Sequence, residues 1–468
     1  MRSLEEIIFT KKAKIGIIGL GYVGLPLAME FCRAGYEVFG FDTDPQKVEA
    51  LREGKSYVLD VPSETVAAAV REGRFKAFTE FDHLRDVDAV SICVPTPLRK
   101  TKDPDVSYII AAVAELKKYL HRQMIVVLES TTYPGTTEEL LQAEVEKAGF
   151  RVGTDIYLCF SPERVDPGNP IYHTKNTPKV IGGITPECTR MGTLLYSQIV
   201  DKVVPVSSAK AAEMVKLLEN TFRAVNIALV NEMALMCERM GIDIWEVIDA
   251  AATKPFGFMP FYPGPGIGGH CIPLDPVYLS WKAKMYNFYN RFIELASDIN
   301  GNMPYHVVQR IGEVLNLAGK PISGSKILCL GLAYKKDVND TRESPSLDVI
   351  RLLIRAGAHV EYSDPYVPVY KEGGFEVKSV ELTPETIKTA DCVVLLTDHS
   401  RFNYPLIAQH ARYIVDTRNA FKGMEQSNIF RIGTPLPTVE EWQEMSKVIE
   451  HAAVATETHA DERGVDAF

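Results

Sequence analysis

The sequence predicts an α/β protein: two doubly wound parallel sheets joined by a long helical region. Three observations carry this expectation. Apolar runs of strand length alternate with helical stretches from residue 14 to residue 160. The segment from Glu213 to Met240 holds neither glycine nor proline. After Gly319 the strand and helix alternation begins again.

The first run, KIGII at 14–18, closes on the turn GLGYVG and is followed by the helical pattern LPLAMEFCRAG. A second run, YEVFGFD, ends on Asp42. Strand, glycine turn, helix, strand and acid make a βαβ unit. Further strand-like runs lie at 88–94, 124–129 and 156–160, so residues 1–207 read as one Rossmann-like domain.

Glu213–Met240 is apolar on most faces, and a helix of that kind must be buried on several sides. It is either a helix inside a large domain or a linker helix that also forms a subunit interface. With a second helical region over Tyr278–Ala318, it defines a central helical region at 208–318. From 319 to 449, KILCLGLAYK, GAHVEYSDP, DCVVLLTDH and RYIVDTRN echo the first domain, giving a second Rossmann-like domain. Its first turn has only Gly331 where the first domain has three glycines, so it should not hold a pyrophosphate in the same way. The tail at 450–468 has little to bury and is expected to be disordered.

A chain of 468 residues is too long for one core. The net charge of -10 argues against nucleic acid as a partner. Cys32, Cys93, Cys159, Cys188, Cys237, Cys271, Cys329 and Cys392 are scattered singly, so no metal site is expected. The N-terminus lacks the apolar core of a signal peptide, and no apolar run nears the ~18 residues of a membrane span. The expectation is a reduced cytoplasmic protein with no membrane partner.

Gly19, Gly21 and Gly24 give the GxGxxG spacing. The first allows a tight turn, the second lets a pyrophosphate approach the backbone, and the third lets helix and strand pack closely. The helix N-terminus adds free N–H groups and partial positive charge. Asp42, about 20 residues on, would accept from the ribose hydroxyls. With Asp44 it would repel a 2′-phosphate, favouring NAD over NADP, although Lys47 weighs the other way.

The stretch YPGPGIGGHC, 262–271, sets Gly264, Gly266, Gly268 and Gly269 before a histidine and a thiol. Those glycines can take positive φ and let a ligand lie on the backbone. Pro263 and Pro265 lower the entropic cost of ordering the loop. A nucleophilic Cys271 beside an NAD site points to one chemistry: a carbonyl forms a thiohemiacetal, is oxidised to a thioester, and is hydrolysed. The alternative for any one cysteine is a small buried hydrophobe. Lys216 and Asn220 share a helix face, either as a solvated stripe or as part of a site. Glu163 and Arg164 in SPERVDPGNP, and Ser130 and Thr131 in ESTTYPGT, follow predicted strands, where open α/β sheets bind ligands.

GLGYVGLP, VPTP, ESTTYPGT, SPER, the helix with Lys216 and Asn220, GIGGHCIPLD and AYKKDVNDTRESPS together resemble the UDP-glucose/GDP-mannose dehydrogenase family, over residues 13 to 440. The resemblance implies two Rossmann-like domains joined by a long helix that forms a dimer. It implies oxidation of a sugar C6 alcohol to a carboxylate with two NAD⁺ reduced. Cys271 would be the nucleophile. Lys216 and Asn220 would stabilise oxyanions, and Asp275, Glu163 and Thr131 would position and activate water. The cofactor would meet Gly19, Gly21, Tyr22, Val23, Gly24, Asp42, Lys47, Pro95, Thr96, Thr131 and Arg342. The nucleotide sugar would meet Glu163, Arg164, Lys216, Asn220, Tyr262, Gly264, Gly268, His270, Lys335 and Arg418. Arg342 has a second reading, as a plain structural ion pair.

SPERVDPGNP followed by PFGFMPFYPGPGIGGHC is most similar to members acting on UDP-N-acetylglucosamine in bacterial surface-polysaccharide synthesis. UDP-glucose members usually carry an arginine before the glycine loop, used across the subunit interface; TKPFGFMPFYPG offers only Lys254. UDP-N-acetylmannosamine, UDP-N-acetylgalactosamine, UDP-glucose and GDP-mannose are the alternative substrates. Two other classes compete: a regulatory binder that has lost chemistry, and a two-electron β-hydroxyacid dehydrogenase. A degenerate binder would be free to lose members of the set Cys271, Lys216, Asn220 and Asp275. The β-hydroxyacid enzyme needs no thiol.

Overall fold

The computed structural model describes residues 3–58, 60–99, 103–166, 168–169, 171–372, 375–424, 426–438, 440–442 and 444. The tail at 450–468 lies outside the described residues. The chain divides into two compact units, one of Met1–Phe222 with Leu274–Asn290, the other of Arg223–Pro273 with Arg291–Phe468.

The first unit is built on β1 (Lys14–Ile18), β2 (Glu37–Phe41), β3 (Phe75–Phe78), β4 (Ala89–Ile92), β5 (Met124–Leu128), β6 (Ile156–Phe160), β7 (Lys179–Gly183) and β8 (Val203–Pro205), in the order β3-β2-β1-β4-β5-β6-β7-β8. β1 pairs in parallel with β2 on one side, Ile15 opposite Val38, and with β4 on the other, Ile15 opposite Ala89. The strand order reverses there, which opens the crevice where such sheets take ligands. All residues of β5 and β6 are buried, which explains their unbroken apolar sequence. One expectation needs correction: the sheet is not wholly parallel. β7 runs antiparallel to β6, with Cys159 opposite Gly183.

The second unit holds β9 (Lys326–Leu330), β10 (His359–Ser363), β11 (Val369–Glu372), β12 (Phe375–Lys378), β13 (Cys392–Leu395), β14 (Ile414–Asp416) and β15 (Ile429–Arg431). Its parallel sheet has the order β10-β9-β13-β14-β15, and β11 and β12 form a separate antiparallel hairpin.

The helix Ala209–Met240 runs unbroken through 32 residues. Its burial differs from expectation. The buried positions are mainly small or polar: Ala212, Lys216, Asn220, Ala224, Ala228, Asn231 and Ala234, with Leu217 among them. Its large apolar residues Met214, Leu218, Phe222, Leu229, Met236 and Met240 are exposed on this single chain. The second helical region is two helices, Asp275–Lys284 and Arg291–Leu317, separated by a turn in which Asn287 has φ 56°. Among the described residues no helix is long and apolar enough to cross a membrane.

Candidate active site

In the first unit the three glycines of the turn after β1 have three separate physical reasons. Gly19 sits at φ +89°, and a Cβ there would lie 2.6 Å from the Cys93 carbonyl oxygen. A Cβ on Gly24 would lie 1.8 Å from the Gly19 oxygen, so only glycine lets the helix Gly24–Arg33 start against the strand. A Cβ on Gly21 would meet nothing within 4 Å. Bare backbone facing open space at the start of a helix is what a pyrophosphate needs, and these residues fit a dinucleotide. Val23 is the N-cap of that helix and no side chain caps it; Tyr22 beside it is exposed.

Asp42, just past β2, accepts from Leu20 N at 3.0 Å through one carboxylate oxygen and from Asp44 N at 3.0 Å through the other. The Lys47 ammonium stands 3.9 Å from it. Pro95 is exposed and Thr96 buried in the segment after β4, and the Tyr278 hydroxyl donates to the Thr96 and Pro97 carbonyls at 3.0 and 3.1 Å. Thr131 is half-buried just past β5; the neighbouring Ser130 hydroxyl donates to Val94 O at 2.8 Å.

The same unit seats Lys216 on Glu163 and Asn220 on Asp275, and both helix residues are buried, which overturns the solvated-stripe alternative. Lys216, Asn220 and Asp275 are 8%, 1% and 3% exposed. An ammonium and an amide are buried at such cost only when paired. Lys216 Nζ donates to the Glu163 carbonyl at 2.6 Å, and Asn220 Nδ2 donates to the Asp275 carboxylate. Glu163 Oε1 accepts from the backbone N–H groups of Arg164 and Val165 at 2.7 and 2.9 Å. Burial pushes the Glu163 carboxyl up, but Lys179, those two donors and Lys216 outweigh it and hold the group below its ordinary value. Arg164, expected at the substrate, is engaged by Glu219 at 2.6 and 3.3 Å and by the Pro178 carbonyl at 2.8 Å.

Lys179 was not singled out from sequence. Its only signal there is a lysine opening an apolar strand, KVIGG. In the structure it is buried, with Nζ 2.7 Å from Glu129 and 3.5 Å from Glu163.

The second unit carries the glycine loop, and here the sequence reading needs a second correction. Only Gly266 (φ +134°) and Gly269 (φ +86°) take positive φ. Gly264 and Gly268 are glycines because other groups crowd them. A Cβ on Gly264 would lie 2.7 Å from Arg418 Nη1; on Gly268, 2.6 Å from Tyr334 Cβ and 2.8 Å from the Glu343 carbonyl oxygen. Gly264 N donates to Asn231 Oδ1 at 3.0 Å, and Asn231 Nδ2 donates to Asn300 at 2.9 Å, a buried amide pair not foreseen from sequence. Arg418 donates through Nε to Leu396 O at 2.9 Å, and its N–H to Asp416 at 2.8 Å. Tyr262 stacks on Trp245, ring centroids 6.0 Å apart.

Cys271 ends this loop. Of the eight cysteines it alone is not buried. Burial pushes the thiols of Cys32 and Cys392 up to about 12. His270 is half-buried, and burial followed by the Arg342 charge lowers its imidazole from the ordinary value. Arg342 forms a fork with Asp340 at 2.6 and 3.0 Å, the structural pair named as its second reading, while its carbonyl accepts from Gly269 N at 3.0 Å.

Lys335 is half-buried in the turn after β9. That turn mirrors the one after β1. Gly331 has φ +87°, and Leu332 N and Ala333 N donate to Asp364 Oδ2 at 2.7 and 3.0 Å, as Leu20 N does to Asp42. His399, fully buried, contacts the same oxygen through Nε2 at 3.1 Å and accepts from Asp337 N through Nδ1 at 2.9 Å. Among the described residues no group of three or more acids, histidines or cysteines is placed to hold a metal.

The chain matches sequence models of the UDP-glucose/GDP-mannose dehydrogenase family in three places: the NAD binding domain at 13–200, the central domain at 210–302 and the UDP binding domain at 328–423. It is 35% identical to UDP-N-acetyl-D-mannosamine dehydrogenase of Pyrococcus horikoshii, covering 89% of this chain and 98% of that protein. It is also 35% identical to UDP-N-acetyl-D-glucosamine 6-dehydrogenase of Pseudomonas aeruginosa, covering 84% of this chain and 92% of that protein. The solved structure of the Pyrococcus horikoshii UDP-D-ManNAc dehydrogenase superposes with TM-score 0.83 at 33% identity, covering 90% of this chain and 99% of that chain. With the three domain types in order along nearly the whole chain, the protein belongs to the UDP-glucose/GDP-mannose dehydrogenase family, as an NAD-dependent oxidoreductase of nucleotide sugars acting on a CH–OH group.

Proposed function

We propose that this chain oxidises the C6 alcohol of a UDP-N-acetylhexosamine, UDP-N-acetylglucosamine before its epimers, to the uronic acid. The observation that carries this reading is Cys271, the one thiol not buried, at the end of the glycine loop and four residues before the buried Asp275. NAD⁺, held by the turn at Gly19–Gly24 and by Asp42, accepts one hydride from C6 in each of two oxidations when bound.

In this reading Cys271 adds as thiolate to the aldehyde carbon, forming a C–S bond and an alkoxide. Lys216 and Asn220 donate to that oxygen. Oxidation of the thiohemiacetal leaves a thioester. Water, positioned by Glu163, Asp275 and Thr131, gives its proton to a carboxylate of that set as it adds to the thioester; the C–S bond breaks and the thiolate is restored. The first unit contributes the 1–207 region as the NAD domain. The 319–449 region, with Lys335 and Arg418, contributes the nucleotide-sugar domain, and 208–318 lies between them. The acid is a precursor for surface polysaccharide made in the cytoplasm, where cysteine thiols stay reduced.

The exposed Met214, Leu218, Phe222, Leu229, Met236 and Met240 support a homodimer built on the long helix, because so much apolar surface on one helix is normally covered. A monomer by light scattering would remove that part of the reading.

The test is NADH formed per sugar under limiting UDP-N-acetylglucosamine, beside UDP-N-acetylmannosamine, UDP-N-acetylgalactosamine, UDP-glucose and GDP-mannose. Two NADH per sugar with the first substrate is expected. One NADH per sugar would remove the thioester route. Two NADH only with another sugar would keep the route and replace the substrate.

A further inference from the structure

Behind Glu163 the first unit buries a chain of polar groups that the reaction above does not use. Lys179 opens β7, and its ammonium is shared by two carboxylates, Glu129 at 2.7 Å and Glu163 at 3.5 Å. Glu129, just past β5, accepts on its other oxygen from the hydroxyl of Tyr196, which ends the helix Pro186–Tyr196. That hydroxyl also lies 3.0 Å from Ser91 Oγ on β4. Glu129, Lys179, Tyr196 and Ser91 are each 4% exposed or less.

A buried ion pair is weak evidence for stability, because apolar residues of similar volume commonly serve as well. The cluster is better explained by what it holds. Glu163 is its one member whose side chain reaches solvent, at 14% exposure, and the Glu163 carbonyl also seats Lys216.

We propose that Lys179 is a positioning residue. It keeps the Glu163 carboxylate ionised and aimed and, through the Glu163 backbone, fixes Lys216. Glu129 competes for the same ammonium and sets how much of its charge reaches Glu163. This rests on the reading in which Glu163 acts on the water of the acid-forming step. The charged and titratable groups that face Glu163 are Lys179 from β7, Lys216 from the long helix, Glu129 from the segment after β5 and Cys93 from the segment after β4, with the Arg164–Glu219 pair beside it. The two carboxylates are driven apart. Burial raises Glu129 despite Lys179, whereas Glu163 is held low.

The experiment compares the full-length enzyme with Glu129→Gln, Lys179→Met and Lys179→Arg by two readouts. One is the pH profile of kcat for acid formation with saturating NAD⁺ and UDP-sugar. The other is the carboxylic acid C=O band in pH-difference infrared spectra, assigned to Glu163 by its loss in Glu163→Gln. Lys179→Met moves the acidic limb and the infrared midpoint up by about 1 pH unit, the size of one lost opposite charge. Glu129→Gln moves both down, because the whole ammonium then serves Glu163. Lys179→Arg keeps the cation and stays near wild type. Opposite displacements from two buried neighbours are not the result of loosened packing. Variants that lose amplitude while keeping the wild-type limb and midpoint would overturn the proposal. If Lys179→Met does not fold, Glu129→Gln and Lys179→Arg decide it. If the wild type forms no acid, the reading of the reaction falls, and the infrared midpoints still decide whether Lys179 governs Glu163.

Discussion

Asn220 donates its side-chain amide to the carboxylate of Asp275, joining the long helix to the first residue of the helix Asp275–Lys284 with both side chains buried. The pair is an amide and an acid rather than two acids, and that choice is testable. Asn220→Asp would face two carboxylates in a buried space, costing ~1–3 kcal/mol of stability at neutral pH. The like charge raises the folded-state pKa of the pair, so the loss is present above that value and fades as pH falls through it. Thermal unfolding across pH checks this. Equal destabilisation at every pH would mean lost packing alone.

Substitutions at Lys216 and Cys271 test the proposed reaction. Lys216→Ala should lower kcat by about 10²–10³-fold, the usual cost of one preorganised donor at developing charge. Cys271→Ser should abolish acid formation while slow aldehyde-level chemistry continues. Initial rates read the first and product analysis after exhaustive turnover the second, and full acid production by Cys271→Ser would end the thioester mechanism.

The glycine turn gives a pair of opposite outcomes. Gly24→Ala drives a methyl group against the Gly19 carbonyl and should cost at least ~2 kcal/mol, seen as a lower Tm. Gly21→Ala meets no protein atom, so Tm should hold while KM for NAD⁺ rises. A Gly21→Ala enzyme with unchanged KM would place the pyrophosphate elsewhere.

Burial raises the Glu213 carboxyl to about 7, against the partial relief of donors at Gly135 and Thr137. Its folded value therefore lies above its unfolded one. The folded state holds the extra proton between the two, so this group's contribution falls as pH rises from the ordinary carboxyl value to about 7, and is level beyond. The slope of Tm against pH in that window should flatten in Glu213→Gln.

What was legible in the sequence was local. β1, its glycine turn and Asp42 lie within one short segment, so spacing alone carried the cradle. The two turn glycines Gly264 and Gly268 were misread for the opposite reason. What crowds them is Arg418 and Tyr334, brought in from far along the chain, and no periodicity records that neighbour. Lys179 escaped for a similar reason, since its importance lies in β7 sitting antiparallel beside β6, where it meets Glu129 and Glu163. The long helix read as apolar all round because its burial is decided by partners, and its small and polar residues turned out to face the interior.

The two turns that echo one another differ in what their acids have left to give. Asp42 spends its oxygens on Leu20 N and Asp44 N. Asp364 takes Leu332 N, Ala333 N and His399 on one oxygen and Tyr366 N and Val367 N on the other. A carboxylate has about four lone-pair sites, so the first acid retains room for a ribose and the second is saturated by its own chain. The acid of the second turn thus has no acceptor left for a ribose, and one coenzyme per protomer is the binding stoichiometry this geometry predicts.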